Sequence, residues 1–108
     1  MQEQRFTERD WTLFKSKIVD WQESYMDRLN NEYIDLLSED ANPSEKFWRL
    51  DKRIKEDRKK AGVQLEMSRS ELISNIISLI NHGAINFEDL HEFSDELKET
   101  ISDFLRDS

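Results

Sequence analysis

Glu88, His91, Glu92 and Asp95 are the residues whose types and spacing come nearest to a metal site. On a helix they share one side, and two or three carboxylates with an imidazole are ligands for a divalent cation. The rest of such a site is missing from the sequence. There is no His-x3-His pair and no second helix with Glu-x-x-His. An exposed histidine among acids, with no ligand role, is therefore the favoured reading, and no cofactor or metal is expected. Nucleophilic chemistry has less to stand on. The chain lacks cysteine, which removes a thiol nucleophile, a thiolate zinc site and a disulfide framework. Ser44, Ser68, Ser70 and Ser94 stand at or beside expected helix starts, the usual structural place for serine. The two glycines stand at expected helix ends, so no glycine-rich loop can cradle a phosphate. The chain is read as a non-enzyme.

Charge is the stronger signal. The chain carries a net −8, yet "EKFWRLDKRIKEDRKKAG", residues 45–62, holds half of its sixteen basic residues. Residues 46–60 have a net charge of +5 and the rest of the chain sums to −13. On a helix Arg49, Arg53 and Lys60 fall near one line and Lys52, Lys55 and Lys59 near another, with Arg58 beside them, and such rows could meet a phosphate backbone. Against this, Asp51–Lys55 and Glu56–Lys60 have the spacing of stabilising helix pairs. A solvated or self-paired face is favoured, with the acidic C-terminal segment as an available partner. That segment, residues 84–108, has a net charge of −6. Its carboxylates Glu88, Asp89, Glu92, Asp95, Glu96, Glu99 and Asp103 form the candidate partner-binding surface, one that repels nucleic acid and attracts basic proteins. The helix–glycine turn–helix of residues 69–105 superficially resembles a DNA reader, but its would-be recognition half, "FEDLHEFSDE", is too acidic to approach DNA.

Four helices must position these groups, in a single all-α domain spanning residues 1–108. Two glycines and one proline leave room for long helices, and the 36% of hydrophobic residues recur at helical spacing. The first helix is expected from Thr7, whose hydroxyl and Asp10 make a capping box, to Leu37 or Ser38. Trp11, Phe14, Ile18, Trp21 and Tyr25 follow in steps of three and four, an a/d seam. That seam either lies in the core or joins two copies as a homodimer. The second helix is expected after Asn42 and Pro43, with Phe47, Leu50 and Ile54 on its apolar stripe, Trp48 beside it, and Gly62 as a left-handed stop. "VQLEM", residues 63–67, is expected as an extended connector burying Val63, Leu65 and Met67. The third helix is expected from a Ser68/Glu71 capping box to Gly83, the most buried of the four. The last carries Phe87 to Leu105, either whole or as a short turn from Phe87 followed by a helix from Asp95. "MQEQRFTERDW" has no apolar signal core and no apolar run approaches a membrane span, so a soluble cytoplasmic protein is expected.

The segments "DWQESYMDRLNNEYIDLLS", "KFWRLDKRIKEDRKKAGVQLEMSRSELI" and "INFEDLHEFSDELKE" together resemble a family of small helical proteins of Firmicutes conjugative elements and prophages, some labelled "multidrug transporter". The transporter label has no membrane span to support it. The resemblance implies a mobile-element setting, in which small acidic proteins often inhibit host defence nucleases, as anti-CRISPR proteins do. The leading expectation is therefore a protein-binding module whose partner is a basic, nucleic-acid-binding protein such as an RNA-guided nuclease. The alternatives are a nucleic-acid-binding accessory protein acting through residues 46–60, and a structural homodimer.

Overall fold

A computed structural model of the chain describes residues 5–107. Helix α1 (Glu8–Leu37) starts where the capping box places it: the Asp10 amide donates to the Thr7 hydroxyl at 3.1 Å, and the Thr7 amide donates back to the Asp10 carboxylate at 2.9 Å. No glycine or proline interrupts the thirty residues that follow, and α1 runs unbroken for about 45 Å. A turn at 38–42 leads into α2 (Pro43–Asp57), which opens with Pro43 at its first position. Residues 58–68 form turns and an extended connector, and a short 3-10 turn (Arg69–Glu71) precedes α3 (Leu72–Asn81). A second 3-10 turn (Phe87–Leu90) and α4 (Asp95–Arg106) complete the fold, so the last segment takes the two-piece form. There is no strand among the described residues.

The elements divide into two parts of unequal depth. The first two thirds of α1, the connector, α3, the second 3-10 turn and α4 enclose one core of Phe14, Ile18, Ala61, Leu72, Ile76, Leu79, Ile85, Leu90, Phe93, Leu97 and Ile101. The last third of α1 and α2 extend beyond it as an antiparallel hairpin. The molecule measures 57 × 27 × 23 Å, and its radius of gyration of 16.8 Å exceeds the about 13 Å of a compact chain this long.

Several expectations are corrected by this packing. Phe14, Ile18 and Tyr25 are buried and Trp11 and Trp21 half-buried within the chain itself. Phe14 and Trp21 meet edge to face, and Trp21 tilts against Phe93. Of its two readings the a/d seam takes the core for Phe14, Ile18 and Tyr25, with Trp11 and Trp21 half-buried at its edge. Gly62 is not left-handed: α2 already ends at Asp57, and Gly62 instead lies against the Tyr25 ring. Ser68 makes no capping bond, and Glu71 turns to the Ser74 hydroxyl, so α3 starts at Leu72. Met67 is exposed, while Val63 and Leu65 are half-buried as expected. Gly83 does hold the left-handed position, with φ +78°. Its amide donates to the Ile80 carbonyl and the Ala84 amide to that of Leu79, the bond pattern that closes a helix end on glycine.

Candidate functional site

The basic stretch turns inward. Arg53 reaches Glu32 of α1 at 2.6 Å and stands 3.7 Å from Asp57. Arg49 pairs with Glu39 and Glu45, Lys55 with Asp51, and Lys60 with Asp57. The Lys46 ammonium donates to the Leu37 carbonyl at 2.9 Å, supplying a donor to the last turn of α1. The Asp51–Lys55 pair forms as spaced; Glu56–Lys60 does not, because α2 has ended before Lys60 and that side chain turns to Asp57. The acidic C-terminal helix is not the partner. Its place is taken by acids of α1, the interhelical turn and α2 itself. Lys52, Arg58 and Lys59 are exposed and have no ion-pair partner among the described residues.

At the centre of this set is Asp57, buried, which accepts a 2.6 Å hydrogen bond from the Tyr33 hydroxyl. Burial, then the bond to the negative Asp57, raises the Tyr33 hydroxyl pKa above its ordinary value. The Arg53 guanidinium is pushed further up, first by its bond to Glu32. Tyr33 therefore stays neutral and the pair holds α2 to α1. Tyr33→Phe removes the 2.6 Å hydrogen bond of a buried carboxylate, leaving it the longer contacts to Arg53 and Lys60, and is expected to lower stability by about 2 kcal/mol, read by chemical denaturation.

The acidic candidates fall into two groups. Asp89 is used in the fold, accepting from the Asn86 amide at 2.8 Å. Glu92 bonds Lys17 at 2.6 Å, and the Lys17 ammonium holds its carboxyl below the usual carboxylate range. Glu88 is exposed, and its carbonyl meets the His91 ring at 3.2 Å. With Glu92 committed to a lysine, the Glu88, His91, Glu92 and Asp95 set does not converge: no group of three ligating side chains comes together among the described residues. Asp95 stands at the first turn of α4, facing Lys98 at 3.6 Å. Glu96, Glu99 and Asp103, with Asp107, line one side of α4 along a shallow groove shared with Arg5, Thr100 and Phe104. The Arg5 guanidinium lies over the Phe104 ring, and Arg106 pairs with Asp103.

The largest exposed apolar side chains lie on the hairpin. Their spacing puts Phe47 on the apolar stripe of α2 and Trp48 beside it, and they remain 61% and 64% exposed, with rings edge to face at 4.9 Å. Ile34, Leu37 and Ile54 are exposed nearby, and only Leu50 of the α2 stripe is half-buried. The signal was present in the lengths. α1 outruns the core that α3 and α4 can build, so part of it had to emerge with α2 as its only cover.

Comparison of the chain with protein-family models, with curated proteins and with solved structures found no match. No described helix is long and apolar enough to cross a membrane.

Proposed function

We propose that the chain is a non-enzymatic protein-binding module that presents an acidic face to a basic partner, a protein whose own groove is built for nucleic acid. The supporting observation is the inward pairing of the basic stretch. Lys46, Arg49, Arg53, Lys55 and Lys60 are bonded within the chain, whereas Glu96 and Glu99 project from α4 without an ion-pair partner among the described residues. The outward field is that of the −8 net charge, which repels phosphates and steers cations. Inhibition of a host defence nuclease in a cytoplasmic, mobile-element setting is the concrete form of this reading, drawn from the family resemblance. The runner-up, a nucleic-acid accessory protein, retains only Lys52, Arg58 and Lys59 as uncommitted contacts.

The test sets the two faces against each other. Immobilised chain is incubated with host lysate and, separately, with plain DNA and RNA. The expected result is capture of a basic protein whose association slows with salt and falls about ten-fold when Glu96, Glu99 and Asp103 become Gln, Gln and Asn. Plain nucleic acid should not bind. Tight, salt-sensitive binding of plain DNA or RNA, lost when Lys52 and Lys59 become Gln, would establish the runner-up instead.

A further inference from the structure

The hairpin leaves large apolar side chains bare. Five large side chains, Ile34, Leu37, Phe47, Trp48 and Ile54, are each more than a third exposed. Trp48 stands about 100° round α2 from Phe47, and the other four together expose roughly 400 Å², within the range of the largest patch on a typical monomer and enough to mark a contact. The helical repeat places them. Measured from the α1–α2 seam, marked by Leu29 and Leu50, Ile34 and Leu37 lie on one flank of α1, and Phe47 and Ile54 on the flank of α2 offset in the same rotational sense. Because the two helices are antiparallel, those flanks form one face of the hairpin. Val19, also exposed, continues that face along α1.

Charge chooses the occupant. Asp20, Glu23 and Asp27 lie along the exposed side of α1 without an ion-pair partner among the described residues, as do Lys52 on α2 and Arg58 and Lys59 in the turn that follows it. The contacts Lys46–Leu37 and Arg53–Glu32 fix the register of the hairpin, and in that register Arg58 stands level with Asp27. Face-to-face pairing of two hairpins allows two symmetric arrangements. One lays α1 on the other copy's α1, acid against acid. The other, about an axis parallel to the helices, lays α1 on the other copy's α2 and brings Arg58 of each copy to Asp27 of the other.

We infer that the occupant of this face is a second copy of the chain, in that second arrangement, forming a four-helix bundle from two hairpins. The area is compatible: roughly 400 Å² of apolar surface per copy supplies about half of the roughly 800 Å² per partner of a standard interface, and the polar rim with the Arg58–Asp27 pairs supplies the rest. The fold supplies the geometry, because two packed helices alone bury only their seam and a second pair supplies the missing layer. The α4 face lies at the other end of α1 and is untouched by this contact, so self-association and partner capture are separable.

Sedimentation equilibrium of the purified chain at micromolar to hundred-micromolar concentration should show a species near twice 13.0 kDa. Phe47→Glu should abolish it while circular dichroism stays helical, since Phe47 is exposed and outside the core. Asp27→Arg and Arg58→Asp should each weaken association about ten-fold, and the double swap should restore it, because it rebuilds the pair with reversed sign. A monomer at every concentration overturns the inference. So does a dimer indifferent to Phe47→Glu, or one in which the double swap is as weak as the single changes.

Discussion

Asp10→Ala will lower the stability of the fold by about 3 kcal/mol, more than any surface change in the chain. Asp10 is fully buried, and its carboxylate joins the starts of two helices separated by more than eighty residues. One oxygen accepts from the Thr7 amide and the Ser94 hydroxyl, the other from the Ser94 amide, at 2.9, 2.5 and 2.8 Å. The same Ser94 hydroxyl oxygen accepts from the Leu97 amide, capping α4. Alanine leaves three partly buried donors without their acceptor and loosens both caps at once. An asparagine in its place is no substitute, because half of its amide is a donor facing donors. The pH dependence has a definite sign. Burial pushes the Asp10 carboxyl up, but the bonds from Ser94 and Thr7 outweigh it, and the pKa lies below its ordinary 3.8 in the folded chain. The stabilisation is complete above the ordinary carboxylate range and is lost as pH falls below about 4 and through the depressed folded value. Urea titrations should therefore show wild type and Asp10→Asn far apart at neutral pH and converging in acid. A constant gap at both pH values would place the stabilisation in packing instead.

Gly62→Ala will be the more damaging of the two glycine substitutions, by about 2 kcal/mol or more. A Cβ there would stand 2.8 Å from Cε2 of Tyr25 and closer still to Cγ and Cδ2, and Tyr25 is buried with Arg28 stacked on its ring. The ring cannot move without disturbing the junction where the Ala61 carbonyl accepts from Gln22 and the Ala61 amide donates to His82. Gly83→Ala meets no atom within 4 Å and carries only the penalty of a left-handed residue, about 1 kcal/mol. Thermal melts of the two variants side by side decide it: equal losses would mean that Tyr25 repacks freely.

These two glycines show how far the chain could be read before its fold was seen. Local chemistry was legible: the Thr7–Asp10 box, Pro43 at the start of α2, and the Gly83 stop all depend on residues within a few positions of one another. Gly62 looked like the same kind of stop, but its reason is a ring thirty-seven positions away, and no pattern of neighbours encodes that. The same divide separates the surfaces. Periodicity grouped Trp11, Phe14, Ile18, Trp21 and Tyr25 correctly on one face of α1, yet whether a second copy or α3 and α4 covers that face depends on tertiary packing. Phe47 and Ile54 have the spacing of a buried stripe, and only the shortness of α3 and α4 leaves them bare. The acids of α4 were found by composition, whereas the commitment of Glu92 to Lys17 and of Asp89 to a cap was not. Long side chains choose partners that the backbone brings near, and the backbone path was the unknown.

The uninterrupted run of α1 has a consequence for valence. A helix without glycine or proline is a stiff rod, so the distance between the α4 face and the hairpin tip is a fixed property of the chain rather than an average over linker conformations. Occupants at the two ends do not crowd each other. Two chains joined at their hairpins would carry a pair of acidic faces at one separation set by that rod. A target with two basic sites at that separation would gain from the raised effective concentration of the second face once the first is bound, and a target with one site, or with two at another spacing, would not. Length, held by thirty helical residues, would then select among targets that charge alone cannot distinguish.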